Sequence, residues 1–106
     1  MNKFFTLFLL IFSLHIFSQQ EANFWFFGEN AGLKFNSNRP ESINGVLQTD
    51  EGSASISNSN GVLQFYTDGT TVFDRNNTVM QNGTNLLGNS SSTQSAIIIP
   101  KPLDDN

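Results

Sequence analysis

The sequence contains no cysteine, and its single histidine, His15, lies in the N-terminal segment. Without cysteine the chain can form neither disulfide bonds nor the zinc sites that need thiolate ligands. A small domain that lacks disulfides must build a sufficient hydrophobic core, bind a metal through oxygen ligands, or belong to a larger protein. The missing cysteines therefore leave few ways to stabilise a domain of this size.

Charged residues are also scarce, since they make up 13% of the chain, and the formal net charge is −4. The few basic residues are scattered, so the sequence offers no basic cluster to phosphate backbones or to anionic lipid surfaces. We therefore expect that nucleic acid is not a partner of this protein.

The first 18 residues have the three parts of a secretory signal peptide. Lys3 supplies a positive charge, residues 4–17 are almost continuously apolar, and Ser18 is a small residue suited to the position before a cleavage. A transmembrane anchor would need about 20 apolar residues, and this run is shorter and is interrupted by polar residues. We expect cleavage between Ser18 and Gln19, no transmembrane anchor, and a secreted, extracellular or cell-surface product.

Beyond residue 19 the sequence has no helical periodicity, and short apolar runs alternate with turns rich in asparagine, serine and glycine. In residues 53–57, SASIS, small apolar and polar residues alternate, which is the period of a β-strand. The sequence therefore predicts an all-β domain of antiparallel sheets over residues 19–106. The predicted strands are 23–27, 31–35, 53–57, 62–67, 70–74 and 96–99, with one further short strand at 43–47 in the otherwise loop-like segment 36–50.

Asp68-Gly69 is a strong signal for a two-residue hairpin loop between strands 62–67 and 70–74. With that loop, Tyr66 would lie opposite Thr71 and Phe65 opposite Val72. Large side chains would then project from both faces of the hairpin, so both faces are expected to be covered, as in a sandwich or in stacked blades. The predicted faces are Leu63, Phe65 and Val72 on one side, and Tyr66 and Phe73 on the other.

The mature chain lacks histidine as well as cysteine, which excludes Ser-His-Asp and Cys-His arrangements. Glu51, Asp68 and Asp74 could in principle supply the two carboxyl groups of a glycosidase, which lie about 5–10 Å apart. Their positions indicate structural roles instead, because Asp68 is the turn residue and the other two lie at strand ends. We therefore expect no catalytic residues and a non-enzymatic protein.

Oxygen-rich loops at residues 58–61, NSNG, and 68–77, DGTTVFDRNN, raise the alternative of a calcium site. Neither loop has the alternating acidic spacing of a calcium-binding loop. Asparagine there is better explained by turn geometry. We expect no metal ligand and no cofactor, with calcium as the less favoured alternative.

Aromatic residues could stack on sugar rings if they were exposed, and Trp25 and Tyr66 are the candidates for such ligand stacking. Their positions in predicted strands, like that of Phe24, favour core packing instead. The stacking alternative corresponds to a complete small secreted carbohydrate-binding module.

Four stretches, taken in order, resemble the start of a family of large secreted bacterial surface proteins. The stretches are NFWFFGENAGLKF (23–35), EGSASISNSNGVLQFYTDGTTVFDRN (51–76), VMQNGTNLLG (79–88) and SSTQSAIIIPKP (91–102). The family is that of the gliding-motility-associated, type IX secretion substrates of the Bacteroidota, which carry a signal peptide, a β-propeller-like region, PKD-type domains and a C-terminal sorting domain. The chain departs from the family in length, and at Ser53, Phe73 and Asn58, where cysteine, tryptophan and aspartate are common.

This resemblance implies an incomplete propeller-like domain over residues 19–106, with a surface-binding or adhesion role in full-length relatives. Residues 53–74 would supply three strands of one blade, and 96–99 would begin the next blade. Residues 23–35 would be outer strands of the final blade, which close the ring. The implied partners are the remaining blades of a larger protein, or a cell-surface polysaccharide or protein.

Overall fold

The computed structural model describes residues 20–35 and 39–101. This part of the chain is all-β, with two antiparallel three-stranded sheets and no helix. It therefore contains no helix that is long and apolar enough to cross a membrane. The predicted signal peptide, residues 1–18, lies outside the described residues.

The first sheet has the strand order β1-β2-β3, with β1 at Phe24–Phe27, β2 at Glu29–Phe35 and β3 at Pro40–Gln48. Gly28, which connects β1 to β2, adopts a positive φ angle of 57°, and so does Asn30, which lies within β2 at a register irregularity between Glu29 and Ala31. The two predicted N-terminal strands are thus confirmed. The prediction at 43–47 was too short, because a proline at the start of a strand and an internal glycine had the composition of a loop.

The second sheet has the order β4-β5-β6, with β4 at Ala54–Ser57, β5 at Leu63–Thr67 and β6 at Val72–Asp74. The predicted hairpin register between β5 and β6 is wrong. Tyr66 lies opposite Phe73, and Thr67 lies opposite Val72, so the loop has four residues, 68–71. A second irregularity lies between β4 and β5, where Leu63 pairs with Ser57 and Phe65 pairs with Ile56.

This bulge at Gln64 places Leu63 on the face of Tyr66, whereas strict alternation had placed it on the face of Phe65. Leu63 consequently enters the core that the two sheets share. The core consists of four buried side chains, Phe26, Leu47, Leu63 and Tyr66, with Phe24, Ile43 and Phe73 packed against them.

Two glycines of the first sheet make room for Phe26. A Cβ atom at Gly45 would lie 2.5 Å from Cδ1 of Phe26, and one at Gly32 would lie 3.0 Å from the same atom. Because neither residue has a side chain, the ring of Phe26 can pack close to β2 and β3, and it stacks on the ring of Tyr66. The glycine in PESINGVLQ, which made this segment look like a loop, is therefore a packing requirement of β3.

Serine side chains join the two sheets along one edge of β1. The carbonyl groups of Phe24 and Phe26 point away from β2, because the Asn23 carbonyl accepts the bond from Phe35 N–H and the direction alternates along a strand. The Ser55 hydroxyl donates to the Phe24 carbonyl, and the Ser53 hydroxyl donates to the Phe26 carbonyl. These hydroxyls take the place of the N–H groups of a neighbouring strand.

The connection between the sheets, residues 49–52, is held by the loop 88–95. The N–H groups of Asp50 and Glu51 both donate to the Ser90 carbonyl, and Gly52 N–H donates to the Ser92 carbonyl at 3.1 Å. The hydroxyl of Ser95 lies 2.9 Å from the Gly52 carbonyl. The two segments therefore form one hydrogen-bonded unit beside the second sheet.

Candidate interaction surfaces

Asp68 is a turn residue, and one oxygen of its carboxylate is hydrogen-bonded within the hairpin loop. Oδ1 accepts hydrogen bonds from Thr70 N–H at 2.8 Å, from the Thr70 hydroxyl at 2.7 Å and from Thr71 N–H at 2.9 Å. Partial burial acts to raise the pKa of Asp68, but these hydrogen bonds together outweigh it and hold the pKa below its ordinary value of 3.8. These bonds lengthen the loop to four residues and so cause the register that the sequence did not predict.

We expect the stabilising effect of Asp68 to depend on pH. Because its folded-state pKa is lowered, the ionised side chain stabilises the native state above pH 3.8, and this contribution is lost as the pH falls through the folded-state value. Asp68→Ala should lower the free energy of unfolding at pH 7, and the difference from wild type should shrink below about pH 4. Urea unfolding of both proteins between pH 2 and pH 7 measures this difference in the free energy of unfolding.

Asp68→Asn is the matched control, because it keeps an acceptor oxygen and removes the charge. It should lie between wild type and Asp68→Ala at pH 7. A difference between wild type and Asp68→Ala that stays constant down to pH 2 would contradict the prediction.

The other two candidate carboxylates are also engaged in local structure. Asp74 Oδ1 accepts from the N–H groups of Asn76 and Thr78, at 2.8 and 2.9 Å. Glu51 Oε2 accepts from the hydroxyl of Thr93 at 3.1 Å. Within residues 20–35 and 39–101 there is no group of three or more acidic, histidine or cysteine side chains that could hold a metal ion.

The asparagines of the candidate calcium loops set backbone geometry. Asn77 has a positive φ of 63°, and Asn82 and Asn85 in the following loop have values of 59° and 58°. Asn58 Oδ1 accepts from the N–H groups of Asn60 and Val62, each at 3.0 Å. The interpretation of these asparagines as turn residues is confirmed.

Tyr66 belongs to the core and is not an exposed stacking residue. Its ring is wholly buried between Phe26, with centroids 3.9 Å apart, and Phe73, at 5.5 Å. The phenol donates to Asn77 Oδ1 at 2.6 Å and accepts from Val46 N–H at 3.2 Å. Burial raises the pKa of Tyr66, so the group is a neutral donor. Both faces of the ring are covered, which corrects its assignment as a ligand-stacking candidate.

Trp25, the other stacking candidate, is 52% exposed on the opposite side of the first sheet. Its indole N–H donates to the Ala22 carbonyl at 2.9 Å. The ring packs at a 55° tilt against Phe35, with centroids 5.0 Å apart. Trp25 and Tyr66 therefore lie on opposite faces of β1–β3 and do not form one site.

We call the outward side of β1–β3 the aromatic face and define it by Trp25, Phe27, Leu33, Phe35 and Val46. Phe27 is 42% exposed and Val46 is 36% exposed, whereas Leu33 and Phe35 are half-buried. A group of apolar side chains left uncovered in this way is typical of a binding surface. Sequence reasoning missed Phe27, although the alternation in NFWFF puts Phe24 and Phe26 inward and Trp25 and Phe27 outward.

The second apolar feature is the terminal segment, residues 96–100. Ile97 and Ile99 are 68% and 82% exposed, whereas Ala96 and Ile98 are half-buried. Residues 96–99 are not part of a ladder with any described strand, although the sequence predicted a strand there. The segment lies beside the outward face of the second sheet, where Phe65, Ile98 and Ile99 line the same cleft.

Comparison of the chain with protein-family models, with curated proteins and with solved structures gives no match.

Proposed function

We propose that this chain is an exported, non-enzymatic part of a bacterial cell-surface protein of the gliding-motility, type IX secretion kind. Its role would be surface binding or adhesion. The proposal is supported by the composition of residues 1–18, by the four stretches that resemble the family, and by an all-β fold with two uncovered apolar features.

The observation that carries the proposal is the terminal segment. It is apolar, β-branched and without a ladder partner in the described chain, and alternate side chains point to solvent. A segment of this kind is a template for pairing with another strand. We propose that β4, β5 and β6 are strands of one propeller blade and that residues 96–99 begin the next, with the remaining blades as its partner.

The export part of this proposal predicts a defined N-terminus. The full chain, expressed with its own leader in a Gram-negative host, should be exported and should begin at Gln19 after cleavage. Mass spectrometry of the exported protein measures this. Leu10→Arg, which puts a charge into the apolar run, should leave the protein unprocessed inside the cell, whereas Asn2→Ser should change nothing. A processed N-terminus far from Gln19, or no export, would contradict the prediction.

The pairing part predicts self-association when no other strand is supplied. The exported protein should form concentration-dependent oligomers in sedimentation velocity, because exposed strand edges pair with one another. Ile97→Lys/Ile99→Lys should restore the monomer by placing like charges on the exposed positions. Val62→Lys is the control, since Val62 is exposed and does not line the clefts to which residues 96–100 contribute. A wild-type protein that is monomeric at every concentration would refute the pairing.

A complete small carbohydrate-binding module is the second candidate function. The exposure of Trp25 favours it, since the ring is fixed in place and half open to solvent. The two candidates differ in the role of the terminal segment, because a free-standing module would bind its ligand as a monomer and would not need residues 96–99.

A further inference from the structure

We propose that the aromatic face binds a neutral polysaccharide, with Trp25 and Phe27 as the stacking platform and Ser42 and Asn44 as its hydrogen-bonding groups. This inference rests on the proposed surface-binding role and names the chemical class of ligand for it.

The indole ring of Trp25 is fixed in position, and part of it is open to solvent. The bond from its indole N–H to the Ala22 carbonyl satisfies the only polar group of the side chain, and Phe35 supports it from the neighbouring strand. The ring therefore needs no partner for its N–H, and little side-chain freedom is lost on binding. What remains for a ligand is an apolar, electron-rich face, which suits the C–H groups on one side of a sugar ring.

Phe27 extends this platform along the strand. It is two residues from Trp25 and projects from the same face, so its attachment point is about 6.6 Å further along β1. It lies opposite Ala31 of β2, a small residue. On the other edge of β1, Trp25 and Phe27 line a cleft together with Ser55 and Ile98. Two aromatic groups in a row along one strand favour a linear ligand with repeated apolar faces over a single small molecule.

Two polar residues of β3 lie in the same cross-strand rows as Trp25 and Phe27. Ser42 lies opposite Leu33, which lies opposite Trp25, and Asn44 lies opposite Ala31, which lies opposite Phe27. Both polar residues are exposed, about 10 Å from β1, which is two strand spacings. In the described part of the chain neither side chain has a hydrogen-bond partner, so the hydroxyl and the amide are available to ligand hydroxyl groups.

The charge of this face selects among ligands. The outward positions of the three strands carry one charged side chain, the carboxylate of Glu29, which lies opposite Gln48 at one end of the face. The other outward positions are uncharged, and they are Trp25, Phe27, Ala31, Leu33, Phe35, Pro40, Ser42, Asn44, Val46 and Gln48. An anionic polysaccharide would find no cation here, and the chain as a whole is negative. Two adjacent rows that each combine an aromatic ring with a polar group therefore fit a neutral glycan.

The experiment uses the exported full chain and three soluble neutral polysaccharides, a β-1,3-glucan, a mannan and a xyloglucan, with anionic alginate for comparison. Affinity gel electrophoresis should show retardation by at least one neutral polysaccharide and none by alginate. Because Trp25 is the only tryptophan, its fluorescence should change with the same ligand.

Substitutions then locate the site. Trp25→Ala and Phe27→Ala should each weaken binding at least tenfold, Trp25→Tyr should keep most of it, and Ser42→Ala/Asn44→Ala should weaken it about threefold to tenfold. Leu87→Ala, which removes an apolar side chain outside the face, should bind like wild type. Thermal unfolding of every variant separates loss of the site from loss of the fold.

Three results would overturn the inference: no retardation by any neutral polysaccharide, equal retardation by alginate, or equal weakening by Leu87→Ala. Face substitutions that change only the oligomeric state would assign this surface to self-association instead. A chain that is exported with Gln19 at its N-terminus but binds no glycan would refute the inference alone. A chain that is not exported would refute the surface role itself.

Discussion

Replacing Tyr66 with alanine should lower the free energy of unfolding by about 3–5 kcal/mol, the range for removing a large buried aromatic side chain. The ring is wholly buried between Phe26 and Phe73, so its removal would leave a cavity that both sheets share. The phenol also satisfies Val46 N–H and Asn77 Oδ1. The substitution therefore removes packing and two hydrogen bonds at once.

Tyr66→Phe separates the two contributions. It keeps the stacked ring and removes the hydroxyl, so the expected cost is about 1–3 kcal/mol, the penalty for leaving buried partners without a hydrogen bond. Urea unfolding followed by circular dichroism measures both variants. If Tyr66→Ala is unfolded without denaturant, Tyr66→Phe still gives a measurable value. A cost below 1 kcal/mol for Tyr66→Ala would show that the two sheets do not share this core.

Alternation along the strands was sufficient to predict part of the core. It placed Tyr66 and Phe73 on one face, and they are indeed neighbours in the core cluster. It failed at Leu63, because a bulge changes the side on which every residue beyond it lies. Nothing in VLQFYT distinguishes Gln64 as the extra residue. Its position follows from the pairing of β4 with β5, which is a tertiary effect.

The hairpin register shows how a side chain can outweigh a turn preference. Asp68-Gly69 favours a two-residue loop, yet the Asp68 carboxylate binds both Thr70 and Thr71 and holds them in the loop. Aspartate competes for backbone N–H groups in this way whenever hydroxyl and amide donors follow it closely. The two threonines after Gly69 were visible in the sequence, so a four-residue loop could have been weighed against the shorter one.

The candidate site, too, could be predicted from the sequence only in part. Alternation in NFWFF predicts that Trp25 and Phe27 share a side, but burial decides which side is the core, and burial depends on β3. That strand was predicted only in part, because its proline and glycine are common in loops. Residues 96–99 show the reverse case. Their composition is that of a strand, but a strand is defined by pairing, and the described chain offers these residues no ladder partner.

The second large effect is expected at Gly69, whose φ is 88°. A Cβ atom there would lie 2.6 Å from the Ser95 carbonyl oxygen, and a backbone atom cannot move aside as a flexible side chain can. Gly69→Ala should therefore lower the free energy of unfolding by about 3 kcal/mol or more, combining left-handed strain with overpacking. The Gly69 carbonyl also accepts from Gly88 N–H, so the loop that carries Ser95 should be released.

Gly28→Ala provides the matched control for Gly69→Ala. Gly28 also has a positive φ, 57°, but a Cβ atom there would meet no atom within 4 Å. The control carries the backbone strain without the clash, and its expected cost is about 1–2 kcal/mol. Hydrogen exchange should show faster exchange at the amides of Asp50 and Gly52 in Gly69→Ala and unchanged exchange in Gly28→Ala, because these amides join the connection between the sheets to the loop 88–95. Equal costs for the two variants would mean that Ser95 does not lie against the hairpin, and that the terminal segment which follows it is not anchored beside the second sheet.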